Sequence, residues 1–87
     1  MTITCVITDD EPMARKGLQS YVERVDFLSL TGVCEDAIQL NPLLKTQQPD
    51  LLLLDIEMPY LSGLDLLATL NQPPKVIVTS AYEQYAL

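Results

Sequence analysis

Apolar and polar positions run along this chain in blocks that predict a βαβαβαβ order. Ile3 to Thr8 is β-branched and apolar on both faces, like a strand covered from both sides. Pro12 follows where the first turn of a helix tolerates proline, just after acidic residues that suit the positive helix end. Met13, Leu18, Tyr21, Val22 and Val25 recur at near-helical spacing, which predicts a helix to about Val25. Leu28 to Cys34 reads as a second strand, weakened by Gly32. Ala37, Ile38, Leu40, Leu43 and Leu44 mark a second helix up to about Gln47. Pro42 within it should kink or split that helix, because proline removes a backbone donor. Gln48-Pro49 breaks the pattern before Leu51 to Asp55, a leucine-rich third strand held by burial rather than by intrinsic β propensity. Ser62 suits the N-cap of a third helix, with Asp65 at the capping-box place and Leu64, Leu66, Leu67 and Leu70 as its apolar stripe. Pro73-Pro74 stops it, Lys75 to Thr79 or Ser80 forms a fourth strand, and Tyr82 to Leu87 opens another helix.

Helical crossovers between strands imply a doubly wound α/β fold, a parallel sheet with helices on both faces. Ligands bind such sheets beyond the carboxyl ends of the strands, near the topological switch point. Carboxylates sit at those ends here: Asp9-Asp10-Glu11 after the first strand, and Asp55 closing the third. Singly, each aspartate is an ordinary turn former or helix cap. Together, on neighbouring strands, they converge into one acidic cluster whose mutual repulsion calls for a cation. Mg2+ suits such a set, because it is bound by one or two carboxylates, waters and phosphate oxygens. The remaining carboxylate is then available for chemistry, since a carboxylate can attack phosphorus and become an acyl phosphate. A hydroxyl at the end of strand four, Thr79 or Ser80, would lie beside Asp55.

Composition narrows the setting. Eighty-seven residues allow one domain at most, and a domain of this size buries only about 60% of its unfolded surface. Hydrophobic residues make up 48%, which argues against disorder. A net charge of −7 with no histidine disfavours direct binding to nucleic acid or anionic membrane. No apolar stretch approaches the length of a membrane span, and Met1-Thr2-Ile3-Thr4 lacks the basic start of a signal peptide, so a cytoplasmic location is expected. Cys5 and Cys34 have no metal-ligand spacing and read as buried, reduced thiols. Pairing of the first two strands would bring them near each other, open to accidental oxidation.

With these residues in place, the chain resembles the receiver domain of a bacterial two-component response regulator, a flavodoxin-like fold. The matching segments are Val6-Ile7-Thr8-Asp9-Asp10-Glu11, Leu52-Leu53-Leu54-Asp55-Ile56-Glu57-Met58-Pro59, Gly63 and Val76-Ile77-Val78-Thr79-Ser80-Ala81. Ser80-Ala81-Tyr82-Glu83-Gln84-Tyr85-Ala86 also resembles the subgroup with a LytTR-type DNA-binding output. The resemblance implies that Asp55 accepts a phosphoryl group from the phosphohistidine of a sensor histidine kinase. It implies that Asp10 ligates Mg2+ directly, Asp9 mostly through water, and Glu57 through its backbone carbonyl, with Asp55 completing the set. Ser80, before Ala81, matches the switch hydroxyl better than Thr79, and Glu57 and Tyr82 occupy the positions that tune phosphate lifetime. Met58-Pro59 and Gly63 look like shaping residues for the loop after strand three. The implied function is a switch that regulates a downstream, DNA-binding output, without being an enzyme.

Family receivers continue past strand four with a helix, a strand ending in lysine, and a helix. Lys75 opens strand four, at the wrong end to substitute for that lysine. Residues 1–87 are therefore expected to be the N-terminal part of a receiver domain within a longer protein, with the fold truncated after strand four. Val76-Ile77-Val78 would then be an apolar edge open to self-association. Two other readings stand beside this one. A Mg2+-dependent aspartyl-phosphate phosphohydrolase would resemble Asp-x-Asp-x-Thr/Val after strand one, where this chain has Asp9-Asp10-Glu11. The other is a receiver-like interaction module that is not phosphorylated.

Overall fold

The computed structural model describes residues 2–55 and 73–79. The expected third helix, with Ser62 and Asp65, and the segment from Ser80 onward lie outside them. The described elements are β1 (Ile3–Thr8), α1 (Pro12–Glu23), β2 (Leu28–Cys34), α2 (Ala37–Gln47), β3 (Leu51–Asp55) and β4 (Lys75–Thr79). The strands form one parallel sheet in the order β2-β1-β3-β4. The chain order reverses direction between β1 and β3, so the switch-point crevice opens at their carboxyl ends.

Strand alternation divides the core into two layers. Cys5, Ile7 and Leu53 are buried on one face with Val22 of α1, flanked by Leu18, Leu28, Leu30 and Leu51. Val6, Cys34, Leu52 and Leu54 are buried on the other with Ala37, Leu40 and Leu44 of α2. Each strand thus contributes alternate residues to opposite faces, as a sheet covered on both sides requires. The two cysteines fall in different layers, which removes the expected route to accidental oxidation. Both are free and buried. Burial pushes the Cys34 thiol up to about 11; the Thr8 hydroxyl across the ladder offsets part of this and the Asp36 carboxylate adds to it. Burial likewise raises Cys5.

Several local expectations change. In α1 the buried stripe is formed by Leu18 and Val22, while Met13 and Tyr21 are exposed. Met13 lies well round the helix from that stripe at 3.6 residues per turn. The helix ends at Glu23, with Arg24 as its C-cap. Pro42 does not split α2, which runs continuously from Ala37 to Gln47. The amide that proline lacks would have bonded the carbonyl of Ile38, and Ile38 and Pro42 both face solvent, so water can satisfy that carbonyl. Asp36 caps the helix by accepting from Gln39 N at 2.9 Å, and the Gln39 side chain accepts from Glu35 N at 2.8 Å.

Gly32 marks a bulge. Cys5 pairs with Leu30 and Val6 with Gly32, leaving Thr31 without a partner position in the ladder. A Cβ on Gly32 would come within 3.0 Å of a Leu43 methyl, so glycine also permits close approach of α2. At the opposite end of the sheet, Asp50 closes a clasp. Thr4 donates to Asp50 Oδ2 through its N–H at 3.0 Å and its hydroxyl at 3.1 Å, and Asp50 N donates back to Thr4 Oγ1 at 2.9 Å. Lys75 N donates to the Asp50 carbonyl at 3.2 Å, which brings β4 into the same junction. Asp50→Ala is expected to lower stability by about 1 kcal/mol, the usual net worth of such bonds. An unchanged urea midpoint would remove the clasp from this account. Among the described residues β4 is a sheet edge, with Ile77 and Val78 about half exposed.

Candidate functional site

The ladder between β1 and β3 pairs Thr8 with Leu54, so the next residue of each strand, Asp9 and Asp55, lies at the carboxyl edge at neighbouring positions. Asp55 pairs in turn with Thr79 of β4. Carboxylate oxygens of Asp9, Asp10 and Asp55 all lie within 4.8 Å of one another. Asp9 and Asp55 are buried, each only 7% exposed, whereas Asp10 faces solvent. The sheet thus brings together the three aspartates that the sequence nominated. Glu57 and Ser80, together with Met58, Pro59, Gly63 and Tyr82, lie outside the described residues. Thr79 Oγ1 is buried and has no hydrogen-bond partner among the described residues, beside Asp55 in the ladder.

Local hydrogen bonds hold the loop from β1 to α1. Asp9 N donates to the Cys34 carbonyl at 3.1 Å, which extends the β1–β2 ladder by one bond. Asp9 Oδ1 accepts from Glu11 N at 2.9 Å, an Asx turn that redirects the chain. Pro12 then opens α1 with its φ already suited to a helix. A residue not singled out from sequence completes the loop. Arg15 Nη1 donates to the Asp9 carbonyl at 2.9 Å, and Nη2 lies 3.7 Å from Glu35 Oε1. The signal for Arg15 was available in its position. Helical side chains lean toward the helix N-terminus, so an arginine four residues after Glu11 reaches back over the loop.

Three carboxylates at this separation repel strongly unless a cation or proton intervenes. The donor set fits a hard divalent cation: its ligand atoms are all oxygen, and exposed Asp10 leaves one side open to water and to phosphate oxygens. The sheet order, the acidic edge at the switch point and the Asx turn describe a family as well as a site. The family model "Response regulator receiver domain" matches residues 5–87.

The chain belongs to the receiver-domain family of response regulators.

Relatives agree with this assignment. An uncharacterized response regulatory protein of Shewanella oneidensis is 34% identical over 98% of this chain. The transcriptional regulatory protein BtsR of Escherichia coli is 32% identical over 98% of this chain. The chain spans 37% and 36% of the length of these two curated relatives, little more than a third. Among solved structures, the signal receiver domain of the putative response regulator NarL from Mycobacterium tuberculosis superposes with a TM-score of 0.86 at 27% identity. That match covers 93% of this chain and 68% of the NarL chain. The doubly wound, flavodoxin-like receiver fold expected from sequence is therefore the fold observed. The LytTR-type subgroup gains no support, since the relatives' names go no further than response and transcriptional regulation. Structures of LuxR-family regulators are also among the fold matches; at 19% and 23% identity they show the fold alone.

Proposed function

We propose that this receiver domain is phosphorylated on Asp55 by a sensor histidine kinase and that it regulates a transcriptional output elsewhere in its parent protein. The supporting observation is the placement of Asp9, Asp10 and Asp55 oxygens within 4.8 Å of one another at the switch-point edge. Asp10 and Asp55 would ligate Mg2+ directly and Asp9 mostly through water, with the Glu57 carbonyl as a further ligand. When bound, the ion neutralises charge on the transferring phosphoryl oxygens and holds donor and acceptor in line.

The chain's own residues do the rest. An Asp55 carboxylate oxygen forms the new bond to phosphorus as the phosphorus–nitrogen bond of the phosphohistidine breaks. The electron pair leaves with the imidazole, and the product on this chain is an acyl phosphate. Burial of Asp9 and Asp55 keeps bulk water from much of the acceptor, which favours transfer over hydrolysis. Ser80 is the proposed hydroxyl that donates to the new phosphoryl group and couples it to the rest of the fold. The names of the relatives support a transcriptional output, and the acidic composition supports DNA contact by another domain rather than by this one. Among the described residues no helix is long and apolar enough to cross a membrane. The proposed setting is the cytoplasm.

Labelling with a small acyl-phosphate donor tests the reading. The expected product carries at most one phosphoryl group per chain, depends on Mg2+, and is released by hydroxylamine as acyl phosphates are. Label resistant to hydroxylamine would place the phosphate on a hydroxyl and overturn Asp55 as acceptor. Rapid multiple turnover of the donor, and of simple phosphomonoesters, would instead favour a phosphohydrolase.

A further inference from the structure

We propose that Arg15 is the positioning residue that holds the Asp9–Glu11 loop in its cation-binding shape. The inference rests on the receiver reading for its functional consequence, and on the described geometry for its physical basis. Arg15 lies in α1, yet its guanidinium touches two other elements. One nitrogen donates to the Asp9 carbonyl at 2.9 Å, and the other pairs with Glu35, which follows β2, at 3.7 Å. The arginine side chain is only 17% exposed, so its bond to the Asp9 carbonyl is packed, while Glu35 at 61% exposed is the outer, weaker partner. Its planar fork reaches the two partners through separate nitrogens in a fixed geometry, which the single nitrogen of a lysine ammonium does not reproduce. Asp9 is thereby held at its N–H by Cys34, at its carbonyl by Arg15 and at its carboxylate by Glu11 N. With all three fixed, the Asp9 carboxylate keeps one orientation beside Asp10 and Asp55, whose oxygens lie within 4.8 Å of its own.

Electrostatics alone gives Arg15 the opposite role. A guanidinium bonded to Asp9 repels an incoming divalent cation, so its removal should tighten binding if charge were the dominant effect. If positioning dominates, its removal loosens the Asx turn and weakens binding. The two accounts differ in sign, and lysine separates them further. Lysine keeps the charge and loses the fork, so a pure charge role predicts no change for Arg15→Lys, whereas a positioning role predicts partial loss.

The test uses the full chain, with wild type, Arg15→Ala and Arg15→Lys compared in two measurements. The first is amide hydrogen exchange without metal. Arg15→Ala is expected to speed exchange at Glu11 N–H by roughly tenfold or more, as loss of a charge-assisted bond implies. Core amides of β3 are expected to stay as slow as in wild type, and Arg15→Lys is expected to fall between. The second is titration with Mg2+ alone, in which Arg15→Ala is expected to bind roughly tenfold more weakly and Arg15→Lys at an intermediate level, the same loss of one charge-assisted bond being read at the metal. Unchanged Glu11 exchange in a folded Arg15→Ala chain would overturn the proposal, as would tighter Mg2+ binding. If Arg15→Ala loses its core protection, Arg15→Lys decides alone: a wild-type Glu11 amide in that variant overturns the proposal. Failure of wild type to take Mg2+ would count against the receiver reading, while the exchange measurement would still decide what Arg15 does.

Discussion

Asp55→Asn is expected to abolish phosphoryl acceptance while leaving the sheet folded. The amide has the shape of the carboxylate but cannot form an acyl phosphate, so the loss should be complete rather than graded. A second, opposite effect should accompany it. Asp9, Asp10 and Asp55 oxygens lie within 4.8 Å of one another, and two of the three side chains are buried. Neutralising one relieves like-charge repulsion in the metal-free state. At the effective dielectric of a partly solvated site this is worth on the order of 1 kcal/mol, which should raise the melting temperature by about 4–8 °C in a domain of this size. Added Mg2+ should shrink the difference, since wild type gains more from the cation than the variant does. Phosphorylation persisting in Asp55→Asn would sink the assignment. A variant less stable than wild type without metal would sink the repulsion argument.

Leu54→Ala should have the largest effect on stability. Leu54 is fully buried and packs in the α2-side layer with Val6, Cys34, Leu40, Leu44 and Leu52. Truncating such a side chain costs about 2–5 kcal/mol through lost transfer energy and the cavity left behind. A chain of 87 residues has roughly 4–13 kcal/mol in total, at about 0.05–0.15 kcal/mol per residue. The substitution should therefore remove a large share of the stability, read as a much lower urea midpoint. Leu54→Met keeps the volume and should cost less than about 1.5 kcal/mol. Because Leu54 and Asp55 point to opposite faces, Leu54→Met should leave Mg2+ affinity close to wild type. Equal losses in both variants would mean that shape and volume at this position do not govern the core.

Apolar runs in β1 and β3 were legible because both strands are buried on two faces, and continuous hydrophobic sequence leaves them no other place. The convergence of Asp9, Asp10 and Asp55 was legible for a related reason. Each strand ends where its apolar run meets a carboxylate, and the β1–β3 pairing does the rest. Register and facing were not legible. The extra residue at Thr31 shifts the β1–β2 ladder, and strand alternation sends Cys5 and Cys34 to opposite layers. Continuity of α2 through Pro42 depends on which side of the helix faces water, a property of packing rather than of local propensity. The reach of Arg15 over the β1–α1 loop was legible from its position, but its pairing with Glu35 was not, because that requires α1 and the end of β2 to meet in space. Nothing in their separation along the chain announces it.

The central claim is that this acidic edge accepts a phosphoryl group on Asp55 with the help of Mg2+. Intact mass of the full chain, recorded after incubation with a small acyl-phosphate donor with and without Mg2+, tests it most directly. The expected result is a gain of one phosphoryl group that appears only with Mg2+ and is absent from Asp55→Asn. No gain with Mg2+ present, or an equal gain in Asp55→Asn, would contradict it.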